Sequence, residues 1–146
     1  MNRSSSFELT VSTFFDAAHR LLDEHYGTGT RLHGHTYNVV VSIRGTTLRG
    51  DGMVFDHYDV RGSVQRVRER LHDTYLNDVA ALADVNTTPE VIAEYLWNEL
   101  TSEITAEGIE SMAVEVAESP TMRVRYEAPL DGAGAPTPTP EPAPNP

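Results

Sequence analysis

Cysteine is absent from the 146 residues, and so is lysine. Without a thiol the chain has no disulfide, no thiolate metal ligand and no cysteine nucleophile. All 11 basic residues are arginine, set against 22 acidic ones, for a formal net charge of −11. A nucleic-acid-binding surface needs the opposite balance, because neutralising phosphates supplies most of its affinity. Long apolar runs are missing as well. Nothing approaches the ~18 residues of a membrane-spanning helix. The N-terminus, MNRSSSFELTVSTFF, alternates where a secretory signal would carry an apolar core. The expectation is a cytoplasmic chain with neither nucleic acid nor membrane as a partner.

Large apolar residues run out after Leu130, and seven of the nine prolines fall in PLDGAGAPTPTPEPAPNP, Pro129 to Pro146. Such a segment buries too little surface to offset its ordering entropy. The expectation is a disordered, proline-rich tail over 129–146 and one domain over 1–128.

Within that domain the hydrophobic period changes twice. Phe7, Leu9 and Val11 alternate with polar residues and predict a strand running into Phe14-Phe15. Residues Asp23 to Arg31 read as a loop. The β-branched run Tyr37 to Arg44, YNVVVSIR, predicts a second strand, with Met53 to Phe55 as a possible extension of the sheet. Val60, Val64, Val67 and Leu71 then follow helical spacing. A second helix starts at TTPE, either with a Thr87–Glu90 capping box or with Thr88 as N-cap and Pro89 after it. Ile92, Leu96 and Leu100 form its apolar stripe. Two alternating segments, around Val114 and Val124, are separated only by Ser119-Pro120, too little for a crossover helix, so they pair antiparallel. The order is β-β-α-α-β-β, an α+β class.

The chemistry concentrates in His33-Gly34-His35. On an extended chain, positions i and i+2 face the same side, so both imidazoles can reach one metal. Their face continues through Tyr37, Val39, Val41 and Ile43, where unpartnered imidazoles would be costly. His19, at the end of the first strand, is a third candidate ligand if that strand pairs with the second. Three neutral histidines leave a fourth zinc position open, the pattern of catalytic sites. An HxH pair alone is a weak signal, and two partly buried histidines satisfied by neighbours is the plainer reading.

Six blocks carry a resemblance: FDAAHRL, RLHGHTYNVVVSIRG, GMVFDHYDV, LHDTYLND, TTPEVIAEYLW and VEVAES followed by Tyr126. In order and spacing they resemble the 6-pyruvoyl-tetrahydropterin synthase family, which includes the 6-carboxy-tetrahydropterin synthases of the queuosine pathway. The resemblance implies the tunnelling fold, or T-fold: a four-stranded antiparallel sheet with two helices on one face. It implies a homo-oligomer, most simply a hexamer, with sites between subunits. It implies a zinc-dependent lyase of tetrahydropterin biosynthesis acting on 7,8-dihydroneopterin triphosphate or a relative. The family's zinc ligands fall on His19, His33 and His35, its pterin-anchoring glutamate on Glu118, and a further substrate-contacting stretch on Thr88, Pro89 and Glu90. Its acid–base pair falls on His72 and Asp73, in reversed order.

The pattern also breaks. The family's proton-transferring cysteine falls on Gly29, and the glutamate of its folate branch falls on Thr30. Asp56 matches a recurrent acid, expected to play a structural part or orient an imidazole. Arg20 and Arg31 are candidates for phosphate contacts. RLHGH and YLND resemble the carboxy branch most closely. The alternatives are side-chain cleavage of dihydroneopterin, or pterin binding without the parent activity.

Overall fold

The computed structural model describes residues 4–104 and 106–130. Two long strands, β1 (Phe7–His19) and β2 (His33–Gly45), form an antiparallel pair in unbroken register from Phe7 with Gly45 to His19 with His33. Both run further than the alternation of their apolar residues suggests. Ala17 and His19 keep the inward parity of Phe15, and His33 and His35 keep that of Tyr37, so all three histidines lie within strands. The connection holds 3₁₀ turns over Glu24–Thr30, with Gly27 at φ 55°.

Helix α1 (His57–Leu71) buries Val60, Val64, Val67 and Leu71, and α2 (Pro89–Glu103) buries Ile92, Ala93, Leu96 and Leu100. Each large aliphatic side chain withdrawn from water contributes roughly 1.5–3 kcal/mol. They pack on the inward face of the sheet, against Phe15, Tyr37, Val39, Val41, Ile43, Met112, Val114 and Val116. Arg70 bridges the helices on the outside by contacting both Glu99 and Glu103.

Strands β4 (Ser111–Ser119) and β5 (Met122–Pro129) complete the sheet as an antiparallel pair, as expected. A two-residue strand, β3 (Thr74–Tyr75), pairs parallel with Ala17–Ala18 and gives the order β3-β1-β2-β4-β5. The expected four strands are therefore joined by a short fifth. A two-residue strand carries no readable alternation.

Two expectations are corrected by this architecture, and a third is narrowed. Met53 to Phe55 does not extend the sheet. Phe55 instead turns over the end of β2, where a Cβ on Gly45 would lie 2.7 Å from its ring. The first helix begins at His57, because the Asp56 carboxylate accepts from the main-chain N–H groups of Tyr58 and Asp59. Asp56 is thus a helix cap, the structural one of its two expected parts, further held by Arg49 at 3.7 Å, and it contacts no imidazole among the described residues. Finally, Pro129 closes β5 and Leu130 donates to the Glu110 carbonyl at 2.9 Å, so the last strand crosses the expected boundary at 128. The rest of the expected tail, 131–146, lies outside the described residues.

Candidate metal and acid–base site

The register of β1 and β2 sets His19 opposite His33 and Ala17 opposite His35. The three imidazoles converge at one end of the inward face, with a ligand atom of each within 4.8 Å of the others. Hydrogen bonds fix two of the rings. His19 Nδ1 lies 3.0 Å from the Thr87 carbonyl and 2.8 Å from its hydroxyl, and His33 Nδ1 lies 2.7 Å from the Arg31 carbonyl. A carbonyl only accepts, so both rings carry their proton on Nδ1. Their Nε2 lone pairs then face one another at 3.0 Å. Two lone pairs so close repel unless a cation lies between them. Imidazoles bound at ~2.0–2.1 Å to a tetrahedral zinc place their nitrogens roughly 3.3 Å apart, close to this separation. The donor set therefore fits a zinc ion.

Electrostatics agree. Burial, with His33 and His35 adding to it, brings His19 down to about 4. Burial and then His33 lower His35. Both are held neutral, the form that ligates metal. Beside them, His35 Nε2 is 4.0 Å from Glu118 Oε2. Burial raises Glu118 above the ordinary carboxylate range, with His33 opposing and Glu90 adding to the rise. Tyr37 is fully buried under this end of the sheet, and its hydroxyl has no partner among the described residues.

Of the residues expected to meet substrate, Glu118 is half-buried next to the histidines, and the exposed Glu90 is its electrostatic neighbour. Thr88 proves to be the N-cap of α2, its hydroxyl accepting from Val91 N–H. That leaves Thr87 free to turn inward, fully buried, onto His19. Thr87 is the site residue that sequence reasoning missed, because TTPE gave it a part in one capping reading and the substrate-contacting stretch was placed on Thr88, Pro89 and Glu90. Arg20 and Arg31 are exposed next to the histidine strands, while His25 and His57 are exposed elsewhere.

The second expected pair is built differently. His72 ends α1, and Asp73 follows at φ 57°, which no other described non-glycine residue shows. The left-handed turn folds the two adjacent side chains together, with Nε2 of His72 3.4 Å from Oδ2 of Asp73. Both are fastened to the open edge of β1. The Asp16 N–H donates to His72 Nδ1 at 3.1 Å, and Asp73 N–H donates to the Asp16 carbonyl at 2.7 Å. The Thr36 hydroxyl donates to the Asp16 carboxylate at 2.5 Å. Asp16, Thr36 and Asp73 line an open cleft that His35 also reaches.

Gly29 does not face this chemistry. A side chain there would meet Leu21 and Tyr26, and the Thr30 hydroxyl is taken by the Gly27 carbonyl at 2.7 Å.

The profile of the 6-pyruvoyl tetrahydropterin synthase family matches residues 8–129. The chain belongs to that family. The curated 6-carboxy-5,6,7,8-tetrahydropterin synthase of Synechocystis is 35% identical to it over 120 residues, covering 79% of this chain and 88% of that one. The 6-pyruvoyl tetrahydrobiopterin synthase of Drosophila melanogaster is 27% identical over 134 residues, covering 83% and 79%. The solved 6-pyruvoyl tetrahydropterin synthase of Caenorhabditis elegans superposes with a TM-score of 0.78 at 25% identity, covering 88% of this chain and 99% of that chain. The T-fold expected from the resemblance is thus the fold of this member of the pterin synthase family. No helix among the described residues is long and apolar enough to cross a membrane.

Proposed function

We propose that this chain is a zinc-dependent lyase acting on 7,8-dihydroneopterin triphosphate or a close relative, with a carboxy-type synthase reaction as the first candidate. One observation carries the reading: two Nε2 lone pairs are locked toward each other, with a third histidine at hand, beside a half-buried glutamate.

His19, His33 and His35 would hold the zinc, which supplies Lewis acidity toward an oxygen of the pterin side chain. Thr87 and Arg31 carbonyls fix the first two ligands in the competent tautomer. Glu118 has two carboxylate oxygens for the amino and ring N–H groups of a pterin. Glu90 sits close enough to Glu118 to raise its proton affinity, and so to tune that grip. Thr88 serves this site indirectly, by capping α2 so that Thr87 can face His19. His72 and Asp73 are the pair that meets the reacting part of the substrate. The blocks RLHGH and YLND, which resemble the carboxy branch most closely, support that choice.

The edge of β1 that precedes its two-residue pairing with β3, and the outer edge of β5, suit strand pairing between copies. We include a homo-oligomer, a hexamer by family resemblance, in the proposal.

The test is product analysis with 7,8-dihydroneopterin triphosphate and with 7,8-dihydroneopterin, at equal enzyme and zinc. Turnover of the triphosphate to a carboxy-type product is expected. Cleavage of dihydroneopterin instead would reassign the reaction. Tight pterin binding with no turnover would favour a binding protein, a reading that the placement of Gly29 and Thr30 away from the site supports.

A further inference from the structure

We infer that His72 is not the proton-transferring base of this site but a neutral hydrogen-bond donor that polarises a ligand oxygen, and that the Asp73 carboxylate takes the proton. This rests on the proposed reading of His72 and Asp73 as reacting residues.

The Asp16 N–H donates to His72 Nδ1. An amide N–H can only donate, so Nδ1 holds a lone pair and the neutral ring carries its proton on Nε2. Nε2 therefore has no lone pair with which to accept a proton. Nor is it a practical acid. Releasing the Nε2 proton would leave an imidazolate unless Nδ1 gained one, and an amide cannot supply it. What remains is a fixed N–H dipole, the arrangement that stabilises charge developing on an oxygen.

The acceptor stands next to it. Asp73 Oδ2 is 3.4 Å from Nε2, and its side chain is 79% exposed, on a cleft that Asp16 and Thr36 share. Asp16 is committed elsewhere: its N–H to His72, its carbonyl to Asp73 N–H and its Oδ1 to Thr36. It is the positioning residue. In the step that follows, a ligand O–H bond, or a C–H bond next to a carbonyl, breaks and its proton passes to the Asp73 carboxylate. The electron pair stays on the ligand as an oxyanion facing the His72 N–H. The reversed His-Asp order and the left-handed backbone at Asp73 together set donor and acceptor on one side.

The experiment combines nitrogen-15 NMR of histidine-labelled full chain with three variants. The His72 spectrum should show a pyrrole-type, protonated Nε2 and a pyridine-type Nδ1. An Nδ1–H tautomer overturns the inference whatever the activity. His72→Gln returns an N–H near the Nε2 position, whereas His72→Asn can accept from the Asp16 N–H but holds its own amide N–H short of the Nε2 position. With both folded by melting curves, turnover of 7,8-dihydroneopterin triphosphate should stay within about tenfold of wild type in the first. It should fall about 100-fold or more in the second and in Asp73→Asn. Equal loss in Gln and Asn variants overturns the donor role. Retained activity in Asp73→Asn overturns the acceptor role. If the wild type turns over no pterin, the enzyme reading fails and takes the reacting roles with it, while the tautomer is still read by NMR.

Discussion

Two histidine clusters lie near one end of the same sheet, and they are wired in opposite senses. His19 and His33 point Nδ1 at carbonyl oxygens, so their Nε2 atoms are free lone pairs. His72 points Nδ1 at an N–H, so its Nε2 is a donor. Proximity of ligand atoms alone would not separate the clusters, since Asp16, His72 and Asp73 also place theirs within 4.8 Å of one another. The partner of the second nitrogen does. In the roles proposed for them, one cluster holds a cation and the other faces an anionic oxygen, and the difference in tautomer lies in main-chain groups that no motif records.

The largest effect that could break this contrast is acid. His19 is held down at about 4 against an ordinary 6.5. Its folded-state value lies below its unfolded one, so between those limits the unfolded chain binds more protons and stability rises with pH. The stability it contributes, on the order of 2–3 kcal/mol, is present above about 6.5 and is lost as pH falls toward 4. Metal should be released over the same window, because ligation needs neutral imidazoles. Denaturant melts and metal content across roughly pH 4–7 check both. A flat profile would deny that His19 is buried neutral.

Next in size is Thr87→Val, which keeps shape and carbonyl but removes the hydroxyl 2.8 Å from His19. Metal affinity should fall about tenfold, at the low end for loss of a ligand's supporting contact. The matching change at the other cluster, Thr36→Val, should leave metal affinity as it is. Competition with a chelator measures both.

A smaller effect concerns backbone. Asp73 sits at φ 57°, which costs a side chain with a Cβ about 1 kcal/mol. Asp73→Ala should lower stability by about that amount relative to Asp73→Gly. Equal melting points would mean the turn relaxes, and the side-by-side placement of His72 and Asp73 with it. Smallest is Tyr37→Phe, which removes the buried hydroxyl that has no partner among the described residues. Unfolding free energy should hold or rise by up to about 1 kcal/mol. A fall would show that the hydroxyl finds a partner in solution.

Alternation made the long strands and helical stripes legible in the sequence, and the HxH parity made the metal face legible. Residues 16 to 19 were harder. Ala17 and Ala18 give no apolar contrast, so alternation alone fades after Phe15, and the placement of His19 at the end of the first strand rested on the metal argument until the register showed it. β3 was invisible because it consists of two residues held by pairing rather than by pattern. Thr87 was hidden by TTPE, which offers two threonines for one cap, and only tertiary packing decides which faces His19. The swapped His72-Asp73 pair was readable as residue types. Its chemistry was not, because the tautomer depends on a β1 amide 56 positions away.

The central claim is that three imidazoles, and no sulfur, bind a metal at this end of the sheet. X-ray absorption at the zinc edge, on full-length protein purified without chelator, tests it most directly. About one zinc per chain is expected, in a shell of imidazole nitrogens completed by oxygen, with most of the metal lost in His33→Ala and retained in His72→Ala. Zinc that survives in a folded His33→Ala protein, or a chain that takes up none, would contradict it.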